Sequence, residues 1–256
     1  MPWLSHCAVR LAAPAAALVL TTGAAAQWVN LENQTATRLL ADPSLIGADN
    51  LEKDFAIGDL DQDGWDDLIV VRKFPGSMQG GFRNLLLMNE GGVLVDRTDE
   101  FASSADVGGD GGFLAPTNDR DVELADVDGD GWLDIVTATT MSDQVGAVLG
   151  QPRVYMNLGE NAQGEWLGVR FEDDRIPVLK SASNQTANPR FCDMVLADLT
   201  GDGRPDIFFT DYDTPETSGT VCIDLNGDGD TNDPGECQQS PSESSGDDYQ
   251  NKLLIN

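Results

Sequence analysis

Histidine is all but missing. The 256 residues contain one, His6, and it stands in an N-terminal stretch unlike the rest of the chain. Without it no Ser-His-Asp or Cys-His arrangement can be assembled, nor any histidine-ligated zinc or iron site. Long apolar runs are equally scarce. The one present, Leu11 to Leu20, follows a short segment ending at Arg10, contains Pro14, and leads to Ala24-Ala25-Ala26 before Gln27. It is too short to cross ~30 Å of hydrocarbon, and its layout is that of a cleaved secretory signal over residues 1–26. Cys7 precedes the apolar run, which is the wrong place for lipid attachment at a cleavage site. The mature chain, 27–256, is expected to be soluble and secreted, extracellular or periplasmic, with no transmembrane segment.

Positive charge is also short, 15 Lys and Arg against 44 Asp and Glu. Removing residues 1–26 takes away one base and no acid, which leaves 14 against 44 and a net charge of −30. Nucleic acid and anionic membrane surfaces are therefore poor partners, and no nucleic-acid partner is expected. Such acidity belongs either to a disordered solvating tract or to a protein built around cations. A hydrophobic content of 40%, with Trp, Phe and Ile spread along the chain, is enough to bury a core. Cysteine is sparse. Cys192, Cys222 and Cys237 remain after processing, so in an oxidising compartment two can pair and one is left over.

What the chain has is a repeat. Phe55–Val70, Val122–Thr137 and Met194–Phe209 superimpose on the pattern D-x-D-x-D-G-x-x-D, with first-place Asp59, Asp126 and Asp198 spaced 67 and 72 residues apart. A second element follows each loop and closes on an asparagine: Asn84–Asn89, Arg153–Asn157 and Asn251–Asn256. The distance from last loop Asp to closing Asn is 22 residues in the first repeat, 23 in the second and 50 in the third, so the third repeat carries an insertion. Alternating apolar residues precede each loop (Phe55 and Ile57, Val122 and Leu124, Met194 and Leu196), and β-branched or aromatic runs follow it. That pattern predicts strands on both sides. Each repeat reads as about four short strands joined by glycine-rich connections such as Gly108–Gly112, a unit that suits a propeller blade.

The loops, 59–67, 126–134 and 198–206, point to calcium. The ion takes six to eight oxygens at ~2.3–2.6 Å, and alternate residues of a tight loop aim inward at one point. Places one, three and five are Asp59, Asp61, Asp63; Asp126, Asp128, Asp130; and Asp198, Thr200, Asp202. Glycine at place six permits the sharp turn. A backbone carbonyl at place seven, from Trp65, Trp132 or Arg204, and the carboxylate at place nine, Asp67, Asp134 or Asp206, would complete each cage. Four carboxylates so close cannot all stay ionised without a cation among them. An EF-hand needs flanking helices and Glu at place twelve; here strands flank, and place twelve is Val70, Thr137 or Phe209.

At these residues the sequence resembles the FG-GAP and VCBS repeat families, calcium-loop propeller repeats also seen in integrin α subunits. The resemblance covers about residues 50–256. It implies an all-β propeller, usually seven-bladed, with calcium in the hairpin between the first two strands of a blade. Its ligand set carries over to Asp59, Asp61, Asp63, Asp67, Asp126, Asp128, Asp130, Asp134, Asp198, Asp202 and Asp206. Thr200 departs from it, and of the Phe-Gly and Gly-Ala-Pro elements only Phe113–Pro116 is an echo. About three repeats fall short of the four to eight blades that close a ring, so a partial propeller with an unpaired edge is expected.

In the insertion, Cys222 and Cys237 bracket an acidic segment with almost nothing apolar to bury, and a disulfide between them is expected to clamp it. Asp224, Asn226 and Asp228 with Gly229 repeat the one-three-five-glycine pattern. They offer either a fourth calcium site or a merely acidic, disulfide-tied surface loop. Asn33 and Asn184 begin N-glycosylation tripeptides of the kind that chance supplies. Trp65 and Trp132 are expected to pack over their loops rather than stack on a sugar. Three function classes follow: a secreted calcium-binding module that adheres to a protein or glycan, a structural scaffold, and a carbohydrate-active enzyme. The last is disfavoured because the acids that could pair for hydrolysis are assigned to metal; no catalytic residue is expected.

Overall fold

Strand period decides the inner edge of each repeat. In β2 (Glu52–Gly58) Ala56 and Gly58 are buried while Phe55 and Ile57 are exposed; in β7 (Asp119–Ala125) and β11 (Phe191–Ala197) Val122 and Met194 are buried while Glu123 and Val195 face out. The second strands, β3 (Asp67–Lys73), β8 (Asp134–Thr139) and β12 (Asp206–Asp211), are near-continuous β-branched or aromatic runs. β8 is buried at every residue, as a strand covered on both faces must be.

The computed structural model describes residues 31–41, 51–73, 81–140, 149–181, 184, 190–211, 220–222, 237–239 and 250–256. The signal segment 1–26 and Asp224, Asn226 and Asp228 lie outside them. Among the described residues no helix is long and apolar enough to cross a membrane. Gln34–Asn256 forms one unit, distinct from Met1–Asn33, and the sheets belong to the former.

The first sheet runs β1-β5-β4-β3-β2, with β1 (Leu39–Leu40), β4 (Leu85–Asn89) and β5 (Leu94–Asp96). The second repeats it as β6-β10-β9-β8-β7, with β6 (Ser104–Ala105), β9 (Arg153–Asn157) and β10 (Val169–Glu172). In each, four strands pair antiparallel and a two-residue fifth strand joins the outer edge in parallel. The third sheet is β11-β12-β15, with β15 (Lys252–Leu254), and β13 (Thr220–Cys222) pairs with β14 (Cys237–Gln239) in a separate ribbon. The fold is all-β and a partial, propeller-like set; among the described residues no sheet closes on itself. Four strands per repeat agree with the sequence in the first two repeats. The parallel fifth strand is additional and comes from the segment that precedes each repeat.

Among the described residues three clusters make the core; Val70, Leu85 and Leu87 form one on the outer face of the first sheet, under Leu39 and Leu94, and the other two join neighbouring sheets. One joins Ala56, Ile69 and Leu86 of the first sheet to Val122, Ile135 and Tyr155 of the second. The other joins Val136, Val154 and Met156 of the second to Met194, Ile207 and Phe209 of the third. Tyr155 holds the first together, edge-on to Phe113 at 4.5 Å and 5.7 Å from Phe171. Beside it Arg153 is fully buried, its guanidinium 3.6 Å from the Phe171 ring centroid and 2.7 Å from the Asp110 carboxylate. Asp119, also buried, accepts from the hydroxyls of Thr117 (2.6 Å) and Thr139 (2.8 Å) and from Asn84 Nδ2 (2.6 Å). These bonds offset part of the desolvation that a carboxylate suffers there.

Candidate metal centre

The three acidic loops occupy one register. The last pairs of the β2–β3, β7–β8 and β11–β12 hairpins are Gly58–Asp67, Ala125–Asp134 and Ala197–Asp206, so place one leaves the first strand and place nine opens the second. Between them the backbone turns under its own side chains. Asp59 Oδ2 accepts the N–H of Gly64 at 3.0 Å; Asp126 Oδ2 accepts from Gly131 and Asp198 Oδ2 from Gly203, each at 2.9 Å. The place-five carboxylates accept from place seven: Asp63 from Trp65 (2.8 Å), Asp130 from Trp132 (2.9 Å) and Asp202 from Arg204 (3.0 Å). Gly64, Gly131 and Gly203 stand at φ +93°, +95° and +91°, where a side chain would be strained.

Place nine is the buried anchor. Asp67, Asp134 and Asp206 are each at most 1% exposed. In all three, Oδ2 accepts the N–H of place two (Leu60 3.0 Å, Val127 2.9 Å, Leu199 2.9 Å). Oδ1 accepts the N–H of the closing asparagine (Asn89 2.8 Å, Asn157 2.8 Å, Asn256 3.0 Å). One carboxylate thereby ties the loop to a strand 22 to 50 positions later, and each oxygen keeps a lone pair for a further partner.

Carboxylate oxygens of Asp59, Asp61 and Asp67 lie within 4.8 Å of one another, and so do those of Asp126, Asp128 and Asp134. Burial, helped by the charges of Asp61 and Asp63, pushes Asp67 up to about 6 against two opposing N–H bonds. Burial likewise pushes Asp134 up to about 7, with Asp128 and Asp130 adding to it, and raises Asp61. Asp198 moves the other way, lowered first by the N–H of Gly203 and then by those of Gly201, Asp202 and Thr200. The first two loops thus hold anionic groups that their surroundings do not neutralise. Asp59 Oδ1 is buried with no hydrogen-bond donor. An all-oxygen set with an orphaned carboxylate oxygen fits a hard divalent cation.

Residues 126–209 match the family model described as an FG-GAP-like repeat. That stretch is similar to an FG-GAP-like repeat. The matched stretch runs from place one of the second loop to β12 beyond the third, so it spans loop to loop. No curated protein matches the chain.

Set against this FG-GAP-like unit, the expected ligands divide. Asp59, Asp61, Asp67, Asp126, Asp128 and Asp134 converge; Asp63 and Asp130 are not in these groups, and each turns one oxygen to the loop backbone. Among the described residues Asp198, Asp202 and Asp206 make no three-acid group, because place three is Thr200. Trp132 lies against its own blade, its Nε1 3.1 Å from where a Cβ on Gly159 would stand; Trp65 is 48% exposed beside Gly92. Cys222 and Cys237 are direct partners in the β13–β14 register.

Two features were not foreseen. Each closing asparagine has a structural task, since Asn157 Nδ2 donates to the carbonyls of Leu60 (2.9 Å) and Leu133 (3.1 Å), and Asn256 Nδ2 to that of Val127 (2.6 Å). Five residues ahead of place one, Asp54, Asp121 and Asp193 recur on the inner strands. Asp121 Oδ2 accepts the N–H of Met194 at 2.6 Å, and burial first, then Asp54, raises its titration. Aligning the repeats five residues further upstream would have shown this column of acids.

Proposed function

We propose that this repeat protein is a secreted calcium-binding module whose blades present a binding surface to a protein or glycan, with no catalytic activity of its own. The observation that carries the reading is the first loop, where buried Asp67 and the partnerless Asp59 Oδ1 converge with Asp61. Asp59, Asp61, Asp63 and Asp67, with the Trp65 carbonyl, hold the first ion. Asp126, Asp128, Asp130 and Asp134, with that of Trp132, hold the second. Asp198, Thr200, Asp202 and Asp206, with that of Arg204, hold a weaker third. When bound, calcium supplies charge neutralisation and an oxygen-coordinated crosslink between places one and nine. The chain's own residues fix the loop backbone and join it to the closing strand.

Secretion is supported by the signal-like residues 1–26 and by the cysteine pairing it would permit. A role in recognition rather than hydrolysis is supported by the commitment of the clustered acids to the loops. Titration calorimetry tests the metal assignment. Calcium should bind with dissociation constants on the order of 10⁻⁴–10⁻³ M, as in other extracellular modules, and Asp59→Ala should remove one site. Absence of any calcium-dependent heat would reject the assignment. A glycan and protein panel probed with and without chelator then separates a binding module, whose partner is lost with calcium, from a scaffold with no partner.

A further inference from the structure

The acids ahead of the loops, Asp54 on β2, Asp121 on β7 and Asp193 on β11, stand at one level of their hairpins. Their ladder partners are Val71, Ala138 and Thr210, each four residues beyond place nine. In β7 and β11 the ladder shifts just before the acid, between Asp119 and Asp121 and between Phe191 and Asp193. A bulge of this kind re-aims the side chain that follows it. Strand β7 packs between β2 and β11, which makes Asp121 the middle acid of the three.

Asp121 is buried and bonded on both sides. Its Oδ2 accepts the N–H of Met194 on β11 at 2.6 Å, and its Oδ1 accepts that of Val122 at 2.9 Å. On the other side its carboxyl is hydrogen-bonded to the carboxyl of Asp54 on β2. Two ionised carboxylates offer acceptors only, so a hydrogen bond between them requires a proton on one. Asp121 is the residue that holds it. Burial, then the bond to Asp54, pushes its titration up to about 7 against the opposing Met194 N–H.

The charges around the pair are mostly acids. Asp193 of β11 acts on Asp121, and Glu123 of β7 is raised by burial and then by Asp54 and Asp193. Asp119, ahead of the bulge, faces the hydroxyls of Thr117 and Thr139, and Arg120 is the residue that the bulge sets aside. On β3 the buried Lys73 stands opposite Glu52, diagonal to Asp54, and so places a cation on the Asp54 side of the pair. Arg72 beside it turns to the Arg83 carbonyl and the Phe82 ring, and Lys53 of β2 donates to the Leu51 carbonyl. Strand β8 brings Ala138 to this level, with its Asp134 at the loop end.

We propose that Asp54 and Asp121 share one proton, and that this proton latches the inner strands of the three sheets to one another. The Asp121 hydroxyl donates to Asp54 across the β2–β7 junction, while its other oxygen accepts from Met194 across the β7–β11 junction. Release of the proton to solvent leaves two carboxylates facing each other, and the β2–β7 junction loosens. Because folding raises Asp121 from 3.8, the folded chain keeps a proton that the unfolded chain gives up. The contribution of the latch is whole below about pH 4 and is lost as pH rises to about 7. The latch lies outside the metal loops and does not depend on their binding calcium.

Urea unfolding of the mature chain and of Asp121→Asn, compared in the same buffers from about pH 4.5 to about pH 8.5, reads the latch. Asparagine keeps an acceptor for Met194 and carries a permanent donor for Asp54. In the ratio of the two unfolding constants the loop carboxylates, common to both chains and distant from the pair, cancel. The stability of the wild type relative to Asp121→Asn should fall by up to about tenfold per pH unit until about pH 7 and then level off. Asp54→Asn, at the half-buried end of the pair, should give the same pH-dependent ratio, and it reads the latch by itself if Asp121→Asn does not fold. Asp193→Asn, which acts on the pair by charge alone, should leave the wild-type dependence in place. A ratio that stays constant with pH for the Asp54 or Asp121 variant, or an equal effect of Asp193→Asn, would overturn the proposal.

Discussion

The side-chain amide of Asn157 donates to the carbonyl of Leu60 at 2.9 Å across 97 positions of sequence. Its second hydrogen goes to Leu133, while Oδ1 accepts from Gly159 N–H (3.0 Å) and Trp166 Nε1 (2.8 Å). Four bonds satisfy the amide, and 5% exposure keeps water from replacing them. Asn157→Ala leaves buried donors and acceptors unmade, at about 1–3 kcal/mol for each orphaned group. We expect a total loss of about 3 kcal/mol in urea unfolding, and a smaller one for Asn89→Ala, which makes no inter-sheet bond. Equal losses would mean that the inter-sheet bond contributes nothing.

The loops should rank in calcium affinity. Asp126 and Asp198 cap their loops alike, each accepting three backbone N–H groups, so replacing either costs the same apo stability. Only the calcium-linked part differs, since Asp128 offers a charge where Thr200 offers a hydroxyl. The difference between unfolding free energies in calcium and in chelator should fall by about 2 kcal/mol for Asp126→Ala, and by less for Asp198→Ala. A matching fall would show that Thr200, or a water it holds, ligates as well as Asp128.

Loops, flanking strands and repeat boundaries were legible because the motif occurs three times at fixed places, and one physical demand, oxygens converging on a point, explains each place. The closing asparagines were visible as a repeat, but their task was not. Asn157 acts on a carbonyl, which carries no side-chain identity, in a different repeat. Buried Arg153 was hidden too, since an arginine reads as surface. Its burial depends on Asp110, in a stretch that read only as a glycine-rich connection, and on the Phe171 ring. Place four carried no signal in the motif, yet it has a backbone task. Gly129 and Gly201 sit at φ +81°, and Gln62 adopts +59° in the first loop while donating to Gly131 of the second at 2.9 Å.

Acid should protect the calcium-free protein. Asp67 and Asp134 rise from 3.8 to about 6 and about 7 on folding, chiefly through burial. The folded state therefore binds more protons than the unfolded one between these values. The contribution of these two groups is fully present below about pH 4 and is lost as pH rises to about 7. Calcium reverses the trend, because it competes with those protons. Melting midpoints in chelator should fall from pH 4.5 to pH 7.5 while the calcium-induced increment grows; parallel curves would contradict this.

The β13–β14 register sets Cys222 opposite Cys237. Directly opposed residues of an antiparallel pair have Cα atoms ~4.5–5.5 Å apart, within the range a disulfide spans. Cys192 is a free thiol against the Thr210 hydroxyl at 3.2 Å. Non-reducing peptide mapping of secreted protein should recover the Cys222–Cys237 pair, whose loop closure is worth roughly 3 kcal/mol in the chain-entropy model. Cys192 bonded to either one would refute the pairing.

Thermal unfolding of the mature chain in about 10 mM calcium and in excess chelator at pH 7.5 tests the central claim, that the acidic loops are cation sites on which the fold depends. With dissociation constants on the order of 10⁻⁴–10⁻³ M, two well-formed sites contribute roughly 3–5 kcal/mol. In a domain of this size that raises the midpoint by on the order of 10 °C. The account predicts that increment, reduced by about half in Asp59→Ala; an unchanged midpoint in calcium and chelator would contradict it.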